Sequence, residues 1–204
     1  MFLIRHAETA TPDVFHGAES DIGLSTWGES QAERLAEHLS RCGAEAVYCS
    51  GMRRAIATAT PIGRSMGLEP VIVPELHERR IGSLSGMGRE QGWGVYEESK
   101  RRWIAGDLEF THPGGESFAA IGRRVLPVLE ELRARHPHGR YVVVAHGIVI
   151  RVALLGLLPG RTPADFDGVA IDFASINELH HDGTAWRAEA LNLVVAPSPA
   201  RPVA

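Results

Sequence analysis

Tyr141-Val142-Val143-Val144-Ala145, running into His146-Gly147 and then an apolar helical pattern over about residues 148–157, decides the fold. An uninterrupted β-branched run suits a strand buried on both faces, the usual situation in a parallel sheet. Outward from this strand–helix unit the chain repeats the same alternation. Residues 1–5 (MFLIR) form a second short apolar run. The next helix follows Leu24-Ser25-Thr26, with Ala32, Leu35, Ala36 and Leu39 at i, i+3, i+4, i+7 spacing. Thr26 and Glu29 predict its capping box. Residues 44–49 predict a strand, 53–66 a helix that contains Pro61, and 71–73 a short strand.

The glycine-rich stretch 81–94 predicts a loop, residues 96–104 a short helix, and 116–135 a long one. That long helix carries Phe118, Ile121, Val125, Leu129 and Leu132 on one face. Residues 174–181 and 184–191, joined by Asp182-Gly183, predict a hairpin. The alternation implies an α/β fold: a three-layer sandwich with a mostly parallel central sheet, helices on both faces and an antiparallel edge near the C-terminus. One domain is expected over residues 1–195, with a helical insertion near 87–112 and a frayed, proline-containing tail over 196–204.

Composition limits the function. With 204 residues, 44% hydrophobic and 23% charged, the chain has a globular profile and enough length for a sizeable core. Its 21 basic and 25 acidic residues give a formal charge of −4 with no long run of one sign, which argues against nucleic-acid or polybasic membrane binding. Two cysteines, Cys42 and Cys49, make no disulfide framework, so a reduced, cytoplasmic protein is expected. Arg5 interrupts the first apolar run too early for a signal peptide. The longest apolar run, residues 152–158, is far short of the ~20 residues that span a bilayer.

In open α/β sheets, ligands bind beyond the carboxyl ends of the strands. The first strand ends in Arg5-His6, the second in Ser50 with Arg53 and Arg54 just after it, and the strand over 141–145 in His146-Gly147. A parallel sheet therefore brings two histidines and at least two arginines to one edge. Guanidinium forks match phosphate oxygens, helix N-termini add oriented amides, and a neutral imidazole is a nucleophile that can carry a phosphoryl group. A histidine-based metal site would want carboxylates at ligand spacing, and neither strand end supplies one beside both histidines. His180-His181 and residues 136–139 read as solvated turns. Residues 82–88 (GSLSGMG) lack the strand-then-helix setting of a dinucleotide loop.

Leu3-Ile4-Arg5-His6-Ala7-Glu8-Thr9 resembles the signature of the histidine phosphatase superfamily, on its phosphoglycerate-mutase-like branch. Residues 21–28 (DIGLSTWG), 50–59 (SGMRRAIATA) and 143–151 (VVAHGIVIR) resemble three further blocks of that family, in the same order. The resemblance implies that His6 is the nucleophile and that Arg5, Arg54 and a protonated His146 hold the phosphoryl oxygens. Residues 76–82 (LHERRIG) resemble the segment that supplies the family's general acid, which makes Glu78 that residue, with Glu75 three positions before it as the rival. Residues 113–117 (PGGES) resemble the family's entry to a helix near the substrate. His16, Ser25, Arg79 and Gly147 are candidates for further substrate contacts.

Three departures stand out. Ala7 replaces the common glycine, which would cost of order 1 kcal/mol if that position needed φ > 0. Residues 10–13 (ATPD) lack the family's asparagine, so His16 or Ser25 is the candidate replacement donor. Residues 82–86 (GSLSG) and 100–103 (KRRW) echo the family's mutases, yet residues 103–113 leave no room for the mutase insertion. The resemblance thus implies a phosphomonoesterase acting on a small phosphorylated metabolite through a phosphohistidine, without metal or other cofactor. The alternatives are a cofactor-dependent phosphoglycerate mutase and a catalytically dead interaction module.

Overall fold

Residues 1–195 are described by a computed structural model, and the expected tail, 196–204, lies outside the described residues. Six strands form one sheet: β1 (Phe2–Arg5), β2 (Ala44–Cys49), β3 (Val71–Ile72), β4 (Arg140–Ala145), β5 (Ser175–His181) and β6 (Trp186–Val194). Their order is β3-β2-β4-β1-β5-β6. The first four run parallel, β5 is antiparallel to β1, and β6 is antiparallel to β5. The helices are α1 (Thr26–Leu39), α2 (Arg53–Met66), α3 (Arg89–Ile104), α4 (Phe118–Arg135) and α5 (Gly147–Leu157). This is the expected mixed α/β sandwich with an antiparallel edge.

The period-two pleat of the central strands sorts the core into two layers. Phe2, Ile4, Val142 and Val144 pack with Ala32, Leu35, Leu39, Ala59 and Ile62 of α1 and α2. Leu3, Tyr141, Val143 and Ala145 pack with Ile121, Val125 and Leu129 of α4 and with Val149 and Val152 of α5. Ile4 is fully enclosed, and truncating such a residue to alanine typically costs about 2–5 kcal/mol. The core therefore fixes the register of β1 on β4, and that register sets the site.

Several local expectations need correction. Helix α1 is capped by Ser25, whose Oγ accepts the Gly28 N–H at 2.9 Å, and not by a Thr26–Glu29 box. Helix α3 starts at Arg89 and takes up much of the expected glycine-rich loop. The reason is packing: a Cβ at Gly92 would stand 2.9 Å from Leu84 and Phe15, so glycine lets the helix approach closely. Helix α4 starts at Phe118, where Ser117 caps it through the Ala120 N–H. Strand β6 extends to Val194, and the turn before it is longer than Asp182-Gly183, with Asp182 Oδ1 accepting the Thr184 and Ala185 N–H groups.

Of the histidines expected in solvated turns, His138 does sit in an exposed bend, and the others are placed otherwise. His180 and His181 belong to β5, and His181 meets Trp186 edge-on. His136 stacks on Tyr141 and bonds to Tyr48 and Glu45. Among the described residues no helix is long and apolar enough to cross a membrane, and both cysteines are free thiols.

Candidate active site

β1 and β4 pair in parallel from Phe2↔Val142 to Arg5↔Ala145. One step further, the His6 N–H still donates to the Ala145 carbonyl at 2.9 Å, so His6 arrives beside His146. Their ring centroids are 5.1 Å apart. β2 pairs with β4 through Cys49↔Val144, and Ser50 likewise continues one step, its Oγ 2.8 Å from His146 Nε2. The parallel register alone thus collects His6, His146 and Ser50.

Helix α2 brings Arg54 beneath them. This buried guanidinium donates to His146 Nδ1 at 3.3 Å and to the Ser20 and Gly17 carbonyls at 2.8 and 3.3 Å. Three of its roughly five N–H donors are thereby used, and the others are free to meet an anion. Arg5 donates from Nη1 to the Ile171 carbonyl at 2.8 Å and lies 3.8 Å over the Phe173 ring. Its buried Nε has no partner. A Cβ at Gly147 would stand 3.4 Å from that Nε, so the missing side chain keeps this donor approachable. Burial pulls the Arg5 guanidinium down to about 10, still a cation at neutral pH.

The imidazoles are different. Burial, reinforced by the Arg54 and Arg5 charges, holds His6 well below the usual histidine range, and burial with Arg54 and His6 does the same to His146. Both are neutral at pH 7, so the expected protonated His146 is corrected. The tautomers follow from the partners. His6 Nδ1 lies 2.8 Å from the Ala7 carbonyl, which can only accept, so Nδ1 carries the proton and Nε2 a lone pair. His146 Nδ1 accepts from Arg54, so its Nε2–H donates to Ser50.

Beside this cluster opens a cavity of about 230 Å³ whose lining includes Arg5, His16, Glu78, Arg79, Arg89 and Arg151. Glu78 is buried, and its Oε1 accepts the Arg79 N–H at 2.9 Å. The buried Arg79 guanidinium sits 5.0 Å from the Trp103 ring and 5.7 Å from Tyr96, with Nη1 unpartnered. Glu75, the rival general acid, is exposed in a 3-10 turn and does not line the cavity.

Residues 1–194 match the family model of the histidine phosphatase superfamily, branch 1. The chain belongs to that superfamily. This histidine phosphatase is 34% identical over 181 residues to phosphoserine phosphatase 1 of Hydrogenobacter thermophilus, covering 88% of this chain and 85% of the relative. It is also 34% identical over 190 residues to the metal-independent phosphoserine phosphatase of Arabidopsis thaliana, covering 90% and 77%. Among solved structures, mycobacterial glucosyl-3-phosphoglycerate phosphatase with inorganic phosphate superimposes with a TM-score of 0.82 at 27% identity, over 97% of this chain and 99% of that one.

The structure of this histidine phosphatase brings Arg5, His6, Arg54 and His146 together and puts Glu78, Arg79, His16 and Gly147 on the adjoining cavity. It does not bring Ser25 there: besides capping α1, Ser25 donates its hydroxyl to Glu8 at 2.8 Å. His16 sits on the wall with both ring nitrogens engaged, Nε2 with the Thr11 carbonyl and Nδ1 with Ser20. Ala7 does not have positive φ and is unstrained; its N–H donates to Thr58 Oγ1 at 3.0 Å. Sequence reasoning missed Arg89 and Arg151 on the wall. Arg151 carried a signal, since it follows Gly147 by one helical turn.

Proposed function

We propose that this chain is a phosphomonoesterase for a small phosphorylated metabolite, working through a phosphohistidine at His6. The observation that carries the reading is the His6 Nδ1–Ala7 carbonyl bond in a site that holds the ring neutral. It leaves Nε2 as an unprotonated nucleophile among Arg5, Arg54 and His146.

In the first step His6 Nε2 forms a bond to phosphorus as the ester P–O bond breaks, and protonated Glu78 gives its proton to the leaving alkoxide oxygen. Phosphoryl transfer asks mainly for positioning and for charge complementary to the equatorial oxygens. The two guanidiniums supply positive charge, and the neutral His146 lends its Nε2–H by exchanging Ser50 Oγ for a phosphoryl oxygen. In the second step water attacks phosphorus, its proton passes to the Glu78 carboxylate, and the N–P bond breaks to release phosphate and neutral His6. The relatives' names, two of them phosphoserine phosphatases, support a small metabolite as substrate.

Rapid quench with ³²P-labelled substrate tests the reading. Label on the protein should survive base, be lost in acid, and be absent in His6→Ala. Label on serine or aspartate would overturn it.

A further inference from the structure

Among the described residues, two that are not glycine hold positive φ: Ala174 at 56° and Asn192 at 53°. A side chain in this left-handed region carries a conformational cost, and such strain persists only where the surroundings over-determine it. Ala174 stands just before β5 and Asn192 within β6, yet both bear on one short strap, residues 171–174. Three groups of that strap meet the proposed catalytic pair. The Ile171 carbonyl accepts from Arg5 Nη1 at 2.8 Å. The Phe173 ring centroid lies 3.8 Å from the Arg5 guanidinium carbon and 5.7 Å from the centroid of His6. The Ala174 N–H donates to the His6 carbonyl at 3.3 Å.

These contacts leave Arg5 little freedom. The ring bars its guanidinium from moving to one side, and the Nη1 bond limits its rotation. An arginine fork recognises phosphoryl oxygens through its plane, so the orientation decides whether the free edge meets them. Asn192 ties the strap to the sheet. Its Oδ1 accepts the Asp172 N–H at 2.7 Å, and its Nδ2 donates to Asp172 Oδ2 at 2.8 Å. The pairing of β5 with β6 shifts register here, which leaves Leu191 and Asn192 both opposite Asn177. The Asn192 N–H donates to Oδ1 of the fully buried Asn177, whose Nδ2 donates to the Leu3 carbonyl at 3.1 Å. Asn192 thus braces β1 twice, at Leu3 through Asn177 and at Arg5 and His6 through the strap. Asparagine suits both demands, because it tolerates the left-handed backbone and offers Asp172 an acceptor and a donor together.

We propose that Asn192 and Phe173 are positioning residues for phosphoryl transfer, Asn192 fixing the 171–174 strap and Phe173 passing its position to Arg5. This rests on the phosphomonoesterase reading and extends it to two residues that do not line the cavity.

The burst of p-nitrophenol from p-nitrophenyl phosphate tests this as a measure of His6 phosphorylation. Inhibition by vanadate and by inorganic phosphate, measured beside it, separates transition-state from ground-state binding. Asn192→Gly keeps a backbone at ease with positive φ and deletes only the amide. Phe173→Leu keeps apolar bulk and deletes the ring. Each should slow the burst by about 10–10²-fold, the scale on which small misplacements of catalytic groups act. Vanadate should weaken by a similar factor and phosphate far less. Phe173→Tyr should restore most of what Phe173→Leu loses. In an Arg5→Lys background Asn192→Gly should add little, because both changes act through one guanidinium. Unfolding midpoints that fall while the burst and the vanadate-to-phosphate ratio stay at wild-type values would overturn the inference. So would a full further loss from Asn192→Gly in the Arg5→Lys background. If the glycine variant does not fold, Phe173→Leu and its tyrosine rescue decide the matter. Absence of p-nitrophenyl phosphate turnover in the wild type would overturn the phosphomonoesterase reading and this inference with it.

Discussion

His6 and His146 lie one residue beyond the last pair of β1 and β4, with ring centroids 5.1 Å apart, and neither is balanced by a bonded carboxylate. Burial first, and then each other's company and the two guanidiniums against them, hold both imidazoles neutral.

Stability should depend on pH accordingly. Both rings are held below the ordinary 6.5 in the folded chain and return to it on unfolding. The unfolded chain then binds more protons below about pH 6.5, so stability present above that pH is lost as the pH falls. Each ring contributes a slope of up to about 1.4 kcal/mol per pH unit. Urea midpoints measured from about pH 7.5 down to about pH 5 should fall more steeply in the wild type than in a His6→Gln, His146→Gln double variant. Parallel declines would mean that the rings titrate alike in the folded and unfolded chains.

Glu78 should matter in proportion to the leaving group's need for a proton. Glu78→Gln is expected to slow turnover of an alkyl phosphate by about 10²–10⁴-fold, the usual span of general acid catalysis. The pre-steady-state burst of p-nitrophenol should survive, because that leaving group departs unprotonated. Glu75→Gln should behave as wild type, since Glu75 is exposed outside the cavity. Equal losses of phosphorylation rate for both leaving groups would reduce Glu78 to a positioning role.

In the proposed mechanism the phosphoryl charge is met by arginines. Among the described residues no three histidine, cysteine or acidic side chains are placed to hold a metal ion. Activity should therefore persist in excess chelator, and vanadate should inhibit competitively with substrate. Turnover that chelation abolishes and Mg²⁺ or Zn²⁺ restores would be the contrary result.

Gly28 links the site to helix α1. A Cβ there would stand 2.1 Å from the Glu8 carbonyl oxygen, two residues after His6, where only backbone could give way. Gly28→Ala should destabilise the protein by at least the ~1–3 kcal/mol typical of overpacking. It should also slow phosphorylation of His6 through the displaced β1 exit. Unfolding midpoints together with the p-nitrophenol burst rate check both. A change in stability alone would confine Gly28 to packing.

The sequence carried the site's floor because each residue there follows a strand whose apolar run is unmistakable. Once β1, β2 and β4 are read as parallel, Arg5, His6, Ser50 and His146 fall together without further information. The wall was harder to read. Arg89 opens a helix that Gly88, Gly92 and Gly94 disguise as loop, and the close contact that makes glycine suitable at Gly92 is with Phe15 and Leu84, which no local pattern reveals. Ser25 looked like a ligand donor because a hydroxyl suits either role, and the choice of helix cap rested on a shift of one residue from Thr26. Arg5 leans on Ile171 and Phe173, so its orientation depends on a part of the chain remote from its own strand.

The β1–β4 pairing also has a consequence in time. Phe2 pairs with Val142, 140 residues later in the chain. At roughly 5–20 residues per second of synthesis, β1 leaves the ribosome on the order of ten seconds before its central partner exists. Through that interval the apolar Phe2-Leu3-Ile4 segment has neither neighbour in the sheet, since β5 is made later still. The proposed nucleophile His6 therefore waits, unassembled, for most of the chain's synthesis. Phosphatase activity becomes a readout of completed translation, because a nascent chain stopped short of Phe173 lacks the ring that supports Arg5.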